Sequence, residues 1–323
     1  MMTRRRFLLA LGSAGAAGAA GWAFGFRRTR EVRREGFALG TRVSMTAFHP
    51  DAGRADRALD AAFAELDAVE SAMSLYRSGS QICRLNRDGV LRDPDPRLFE
   101  VLACAQAFSL RTGGAFDVTV QPLWETFAAA KRAGRLPSES DVRAASGRVG
   151  WRGLHVASDR IALAPGMAIT LNGIAQGYAA DRALAVLREH GIEEALVDTG
   201  EEGCIGRPRE VGIQHPRVPD AFADVVWLEG GCLATSGDYE TAFSPDRALN
   251  HIFDPRTGDS PRHFASVSVL AKSGMVADAL STAVFVLGRE ESRALLAEHG
   301  AGALFIAKDG SAQATGGFPH ANG

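Results

Sequence analysis

The sequence predicts an α+β protein, with mixed sheets and helices packed against them. Three observations carry this expectation. Leu59, Phe63, Leu66, Val69 and Met73 recur at steps of four, three, three and four, the spacing of one helix face buried against a core. Strand-like segments follow one another in runs and do not alternate strictly with helices, which argues against a doubly wound sheet. Glycine stop signals close three later helices, at Gly113-Gly114, Gly191 and Gly300.

In chain order, Arg27–Gly36 reads as a polar linker and Gly40–Phe48 as a strand. The first helix covers Arg54–Ser74 and ends at the turn Arg77-Ser78-Gly79-Ser80. A second spans Pro96–Thr112. Gly150–Leu171 reads as strands about an Ala157-Ser158-Asp159 turn, followed by a helix over Gly177–His190. Strands are expected at Ala195–Asp198, Val211–Gln214 and Ala265–Ala271, then helices at Val276–Leu287 and Glu290–His299. A last strand, Ala303–Ala307, turns at Lys308-Asp309-Gly310. No internal repeat appears.

With 323 residues, 46% of them hydrophobic and 23% charged, the chain can bury a core without staples, which excludes disordered, collagenous and disulfide-scaffold classes. The first 30 residues hold six arginines and no acid, so the overall charge of −2 leaves −8 for residues 31–323. An acidic body without a basic run is a poor sequence-independent nucleic-acid binder, because it lacks the basic stripe needed to displace counterions from the phosphates.

Thr3-Arg4-Arg5-Arg6-Phe7-Leu8-Leu9 places a cationic head before an apolar stretch rich in Ala and Gly, ending near Phe26. This resembles a twin-arginine export signal, so residues 1–30 are expected to be an address and residues 31–323 the functional domain. The expected location is periplasmic. Cleavage at Ala17-Gly18-Ala19 and retention as an N-terminal anchor are both open. Cys83, Cys104, Cys204 and Cys232 form no metal spacing. Cys204 and Cys232 could pair in an oxidising compartment; buried free thiols are the alternative expectation.

Four stretches mix small, polar and apolar residues in ways a plain core does not need. In Ala277-Asp278-Ala279-Leu280-Ser281-Thr282, Asp278 and Thr282 share a helix face, so a carboxylate and a hydroxyl can meet one hard cation. An Asp near a helix start is also commonly a cap. Thr170-Leu171-Asn172-Gly173-Ile174-Ala175-Gln176-Gly177-Tyr178 puts two glycines around a helix start, where N–H groups face an anion and a carbonyl is free for a metal. His251, in Asn250-His251-Ile252-Phe253-Asp254-Pro255-Arg256-Thr257-Gly258, is a candidate base or a hydrogen-bonded structural histidine. Ala234-Thr235-Ser236-Gly237-Asp238-Tyr239 is either a phosphate or ribose cradle or a capped turn.

In this order, and together with Ala38-Leu39-Gly40-Thr41, Met73-Ser74-Leu75-Tyr76 and Gly114 through Leu123, these stretches resemble the ApbE-type flavin transferases, the FAD:protein FMN transferases. The resemblance runs from about Gly36 to Phe305. Leu171 to Tyr178, followed by Leu196-Val197-Asp198-Thr199-Gly200-Glu201, looks most like the NosX-like branch found with nitrous-oxide respiration.

The resemblance implies a T-fold-like architecture with FAD, the substrate, in a cleft and Mg²⁺ on its pyrophosphate. It implies Asp278 and Thr282 as side-chain metal ligands and Gly173 as a carbonyl ligand. His251 then takes the proton of an acceptor threonine, with Asp278 beside it in the catalytic set. Leu39, Tyr76, Asp117, Gln176, Ser236, Asp238 and His251 would line the FAD pocket. The implied partner is an acceptor flavoprotein, membrane-bound or periplasmic, with a NosR-like protein as one candidate. Where many relatives carry Asp, Lys and Met, this chain has Thr170, Gln176 and Leu39, so one negative and one positive charge are lost together. Two other outcomes stay open: FAD pyrophosphatase activity with water as acceptor, and a flavin-binding assembly protein without transferase activity.

Overall fold

A computed structural model describes residues 29–315 together with Phe318 and Pro319; the arginine-headed segment lies outside these apart from Thr29 and Arg30. The chain opens on strands β1 (Arg30–Ala38) and β2 (Thr41–His49), then helices α1 (Ala52–Met73) and α2 (Gln81–Asp88). Strand β3 (Val90–Arg92) and helices α3 (Pro96–Arg111), α4 (Gln121–Arg132) and α5 (Glu139–Ser146) lead to strands β4 (Leu154–Val156) and β5 (Arg160–Leu163). Helix α6 (Ala175–Glu189) follows, and after it strands β6 (Ala195–Asp198), β7 (Glu202–Ile205), β8 (Arg209–Gln214), β9 (Phe222–Leu228), β10 (Gly231–Gly237) and β11 (Phe264–Ala271). Helices α7 (Gly274–Leu287) and α8 (Arg289–Glu298) precede strands β12 (Gly302–Ala307) and β13 (Ala312–Ala314).

Eight strands form one sheet in the order β1-β2-β6-β7-β10-β11-β12-β13, and every neighbouring pair is antiparallel. Helices α1, α6 and α7 cover one face, while the β8–β9 hairpin buries Val211, Ile213, Val226 and Leu228 against Leu233 and Leu304 on the other. Covered on both sides, β11 shows an almost unbroken buried run where a one-sided strand would alternate. A third apolar cluster joins Leu123 and Phe127 of α4 to Phe243 and Phe253.

The expected linker at Arg27–Gly36 is corrected from Arg30 onward: β1 pairs with β2 along its full length. Its charges belong to an exposed edge strand, and Arg34 forms ion pairs with Asp56 and Asp60 of α1. Of the Ala234–Tyr239 stretch, Ala234–Gly237 completes β10, and Asp238-Tyr239 begins the turn that follows it. All four cysteines are free thiols. Cys204 pairs with Gly231 and Cys232 with Gly203, so these thiols leave opposite faces of the sheet and enter different cores. Among the described residues no helix is long and apolar enough to cross a membrane.

Candidate active site

Helices α6 and α7 meet where neither residue has a side chain. A Cβ on Gly177 would lie 2.0 Å from the Gly274 carbonyl oxygen, and one on Gly274 would lie 2.4 Å from the Gly177 oxygen. Contact this close lets each helix cap the other. The Asp278 carboxylate of α7 accepts from the Gly177 N–H at 3.0 Å, near the start of α6, where no side chain of that segment caps the helix. Asp181 of α6 in turn accepts from Ser273 Oγ and the Gly274 N–H, both at 2.6 Å, and from the Met275 N–H at 3.0 Å. Asp278 is thus a cap, as sequence statistics favour, but of a neighbouring helix. Gly177→Ala is expected to cost at least about 2 kcal/mol in denaturant unfolding, because rigid backbone lies where the methyl must go. An unchanged midpoint would contradict the close crossing.

Around this junction the structure gathers several residues expected from the sequence. A Cβ on Gly173 would lie 2.8 Å from Thr282 Oγ1, so the glycine admits that hydroxyl. Ser236, at the end of β10, sits 2.8 Å from Ser281 Oγ and 3.1 Å from Thr282 Oγ1. The Gln176 carbonyl accepts from Thr199 Oγ1 at 2.9 Å, and the Gln176 amide packs against Gly200, as does Thr41. Thr41 closes the β1–β2 turn, in which Leu39 and Gly40 have φ of 51° and 79°. The Tyr76 ring lies across Gly40, where a Cβ would be 2.4 Å away, and is 73% exposed. The Leu39 N–H donates to Glu70, itself paired with Arg77.

Glu201 was missed as a site residue. It is 6% exposed, and its carboxylate accepts from the Thr235 N–H at 2.9 Å, within electrostatic reach of Asp278, which is 3% exposed. Burial pushes the Asp278 carboxyl up to about 7. Glu201 is likewise held well above the usual carboxylate range, from burial first and then from the charge on Asp278. Among the described residues, no basic side chain figures among the main influences on either acid. A lone Glu after Thr199-Gly200 reads as turn chemistry in a sequence, and only the strand pairing turns it inward.

Two expected pocket residues are otherwise engaged. Asp117 accepts from the Thr119 N–H at 2.8 Å, Thr119 Oγ1 at 2.7 Å and the Trp151 N–H at 2.7 Å. Its oxygens brace the loop behind Gly173, where the Thr170 N–H donates to the Val118 carbonyl. Asp238, fully buried, is held by Arg217 at 2.6 and 2.8 Å and by Lys308 at 2.5 Å. Both carboxylates are thus held by groups of the protein itself. His251 follows the 239–250 loop; its N–H donates to the Thr241 carbonyl, and its Nδ1 is buried without a partner. Burial lowers the imidazole below its usual value.

Among the described residues no three His, Cys, Asp or Glu side chains converge on one point. The donors at the α6–α7 junction are mixed: two carboxylates with hydroxyls of Ser236 and Thr282. Two surface hollows, of about 180 and 590 Å³, are lined by other residues.

Fold and site together define an α+β protein in which oxygen donors gather at the crossing of α6 and α7. The chain belongs to the ApbE family, whose profile matches residues 39–305. It is 31% identical to the FAD:protein FMN transferase of Escherichia coli K12, over 85% of this chain and 84% of that protein. It is also 31% identical to the one from Treponema pallidum, over 91% and 89%. Among solved structures, the ApbE protein of Thermotoga maritima superposes with a TM-score of 0.79 at 29% identity, covering 89% of this chain and 97% of that one. The apo flavinyl transferase ApbE of Pseudomonas stutzeri gives 0.77 at 30% identity, covering 89% and 95%. The relatives' shared name is that of a transferase.

Proposed function

We propose that this protein transfers FMN from FAD to a threonine hydroxyl of an acceptor flavoprotein and releases AMP. The supporting observation is the pair of buried acids, Asp278 and Glu201, near Thr282 and Ser236, with no basic side chain among their main electrostatic influences in the described residues. A buried Asp278 carboxylate beside a second acid is costly to ionise, a cost that a cation at Asp278 would offset, and oxygen donors of this kind suit Mg²⁺. Asp278 and Thr282 by side chain and Gly173 by carbonyl would hold that ion. Bound there, it supplies positive charge to the diphosphate oxygens as the P–O bond shifts.

The chain's own groups do the rest. Ser236 holds the Thr282 hydroxyl in place, and the Gln176 amide can donate to the dinucleotide without the charge a lysine would add. Tyr76 offers an exposed ring beside the flavin. With Nδ1 buried, Nε2 of His251 is the nitrogen left to receive the hydroxyl proton, and its lowered proton affinity keeps the ring neutral at physiological pH. The bond from threonine oxygen to phosphorus forms, the phosphoanhydride bond breaks, and AMP leaves with the electron pair.

We read the protein as exported, its arginine-headed segment addressing it to the periplasm, with an electron-transfer acceptor there or at the membrane. The test is incubation with FAD, Mg²⁺ and a candidate acceptor domain, followed by mass spectrometry for added FMN and assay of AMP. Covalent FMN with equimolar AMP is expected. Free FMN and AMP without acceptor modification would point to hydrolysis instead, and FAD bound unchanged to an assembly role.

A further inference from the structure

We propose that Lys308 and Arg217 are positioning residues: by clamping Asp238 they set where the His251 loop stands relative to Ser236 and Thr282. The argument starts at the end of β10. Ser236 reaches the α7 hydroxyls, and two residues later Asp238 enters the ion cluster, so one strand end serves both. The loop that follows closes on itself. The His251 N–H donates to the Thr241 carbonyl at 2.9 Å, Ala242 pairs with Asn250, and the Phe243 N–H donates to the Leu249 carbonyl at 2.7 Å.

Lys308 joins the two ends of this loop. Its ammonium lies 2.5 Å from the Asp238 carboxylate at the base and donates at 3.0 Å to the carbonyl of Arg247, a tip residue with φ of 59°. Arg217, from the β8–β9 connection, grips the same carboxylate through both terminal nitrogens. A bidentate pair fixes orientation as well as distance. On the loop's other flank, Phe243 and Phe253 pack on Phe127 with ring centroids 5.2 and 5.1 Å away. His251 is therefore suspended between an apolar anchor and an ionic one. Lys308 lies past the residues that the family profile matches.

The inference rests on the proposed transferase reaction, and its test separates the two. Asp238→Asn is a poor variant, since it leaves two cations facing each other with no buried anion. Lys308→Met keeps the Arg217–Asp238 pair neutral and folded. We expect kcat for flavinylation to fall about ten- to hundredfold, the size of effect that small misplacements produce. KM for FAD should change less than twofold, and Lys308→Arg should restore most of the rate. In a His251→Ala background, Lys308→Met should have no further effect. A second readout needs no activity: the His251 amide, bonded to Thr241, should exchange with deuterium at least tenfold faster in Lys308→Met. Unchanged exchange, or an equal loss of rate with and without His251, overturns the positioning role. A wild-type protein that never modifies an acceptor sinks the transferase reading alone, because the exchange measurement still decides the clamp.

Discussion

Asp278→Ala is expected to reduce flavinylation by about a thousandfold or more, since several kcal/mol of charge stabilisation would go with the cation and each 1.36 kcal/mol is a factor of ten. In-gel flavin fluorescence of a co-expressed acceptor measures this, and a signal equal to wild type would remove the metal-site assignment. The variant also has a stability signature. The Asp278 carboxyl is pushed up to about 7 in the folded chain against 3.8 as the ordinary value. Between those values the folded state holds more protons than the unfolded one, so stability without metal falls as pH rises through this window. Mg²⁺ should therefore raise the melting temperature more at pH 8 than at pH 5.5. Asp278→Ala should abolish the Mg²⁺ response and flatten the decline with pH, its counterweight being the lost cap on Gly177, about 1 kcal/mol.

His251→Ala is the second large effect. Loss of a general base should lower kcat by roughly 10²- to 10⁴-fold while FAD binding persists, because among the described residues the imidazole Nδ1 has no hydrogen-bond partner and only the backbone N–H is bonded, to Thr241. Burial holds the ring below 6.5, so it is deprotonated and competent at neutral pH. The rate should be flat from pH 7 upward and decline on the acid side, at pH values under 6.5. A normal rate for the alanine variant at saturating FAD, or an acid limb centred above pH 7, would assign the proton to another group.

Much of the architecture was legible because it rests on short-range pattern. The α1 stripe, the glycine stops and the apolar cores of β2, β6, β8, β11 and β12 stand where periodicity puts them. The misses have physical causes. Edge strand β1 carries charges because it faces water, and so reads as a linker. Helix α4 opens on Gln121-Pro122, where proline suits a first turn although it elsewhere marks a break. The partners of Asp117 and Asp238 were not legible either, because Thr119 and Trp151, which hydrogen-bond the first, and Arg217 and Lys308, which pair with the second, are brought to them by the fold.

By itself the sequence determined the helix face shared by Asp278 and Thr282, the glycines that open the start of α6 and the order of motifs that marks the family, for these depend on neighbours a few residues apart. Tertiary structure alone decided that Asp278 caps α6 while Asp181 caps α7, that Glu201 turns inward beside Asp278, and that Lys308 reaches back to Asp238. Those partners lie 101, 93, 77 and 70 residues apart. Whether a carboxyl is solvated, paired or stranded depends on what packs over it, and only the folded sheet brings those groups together.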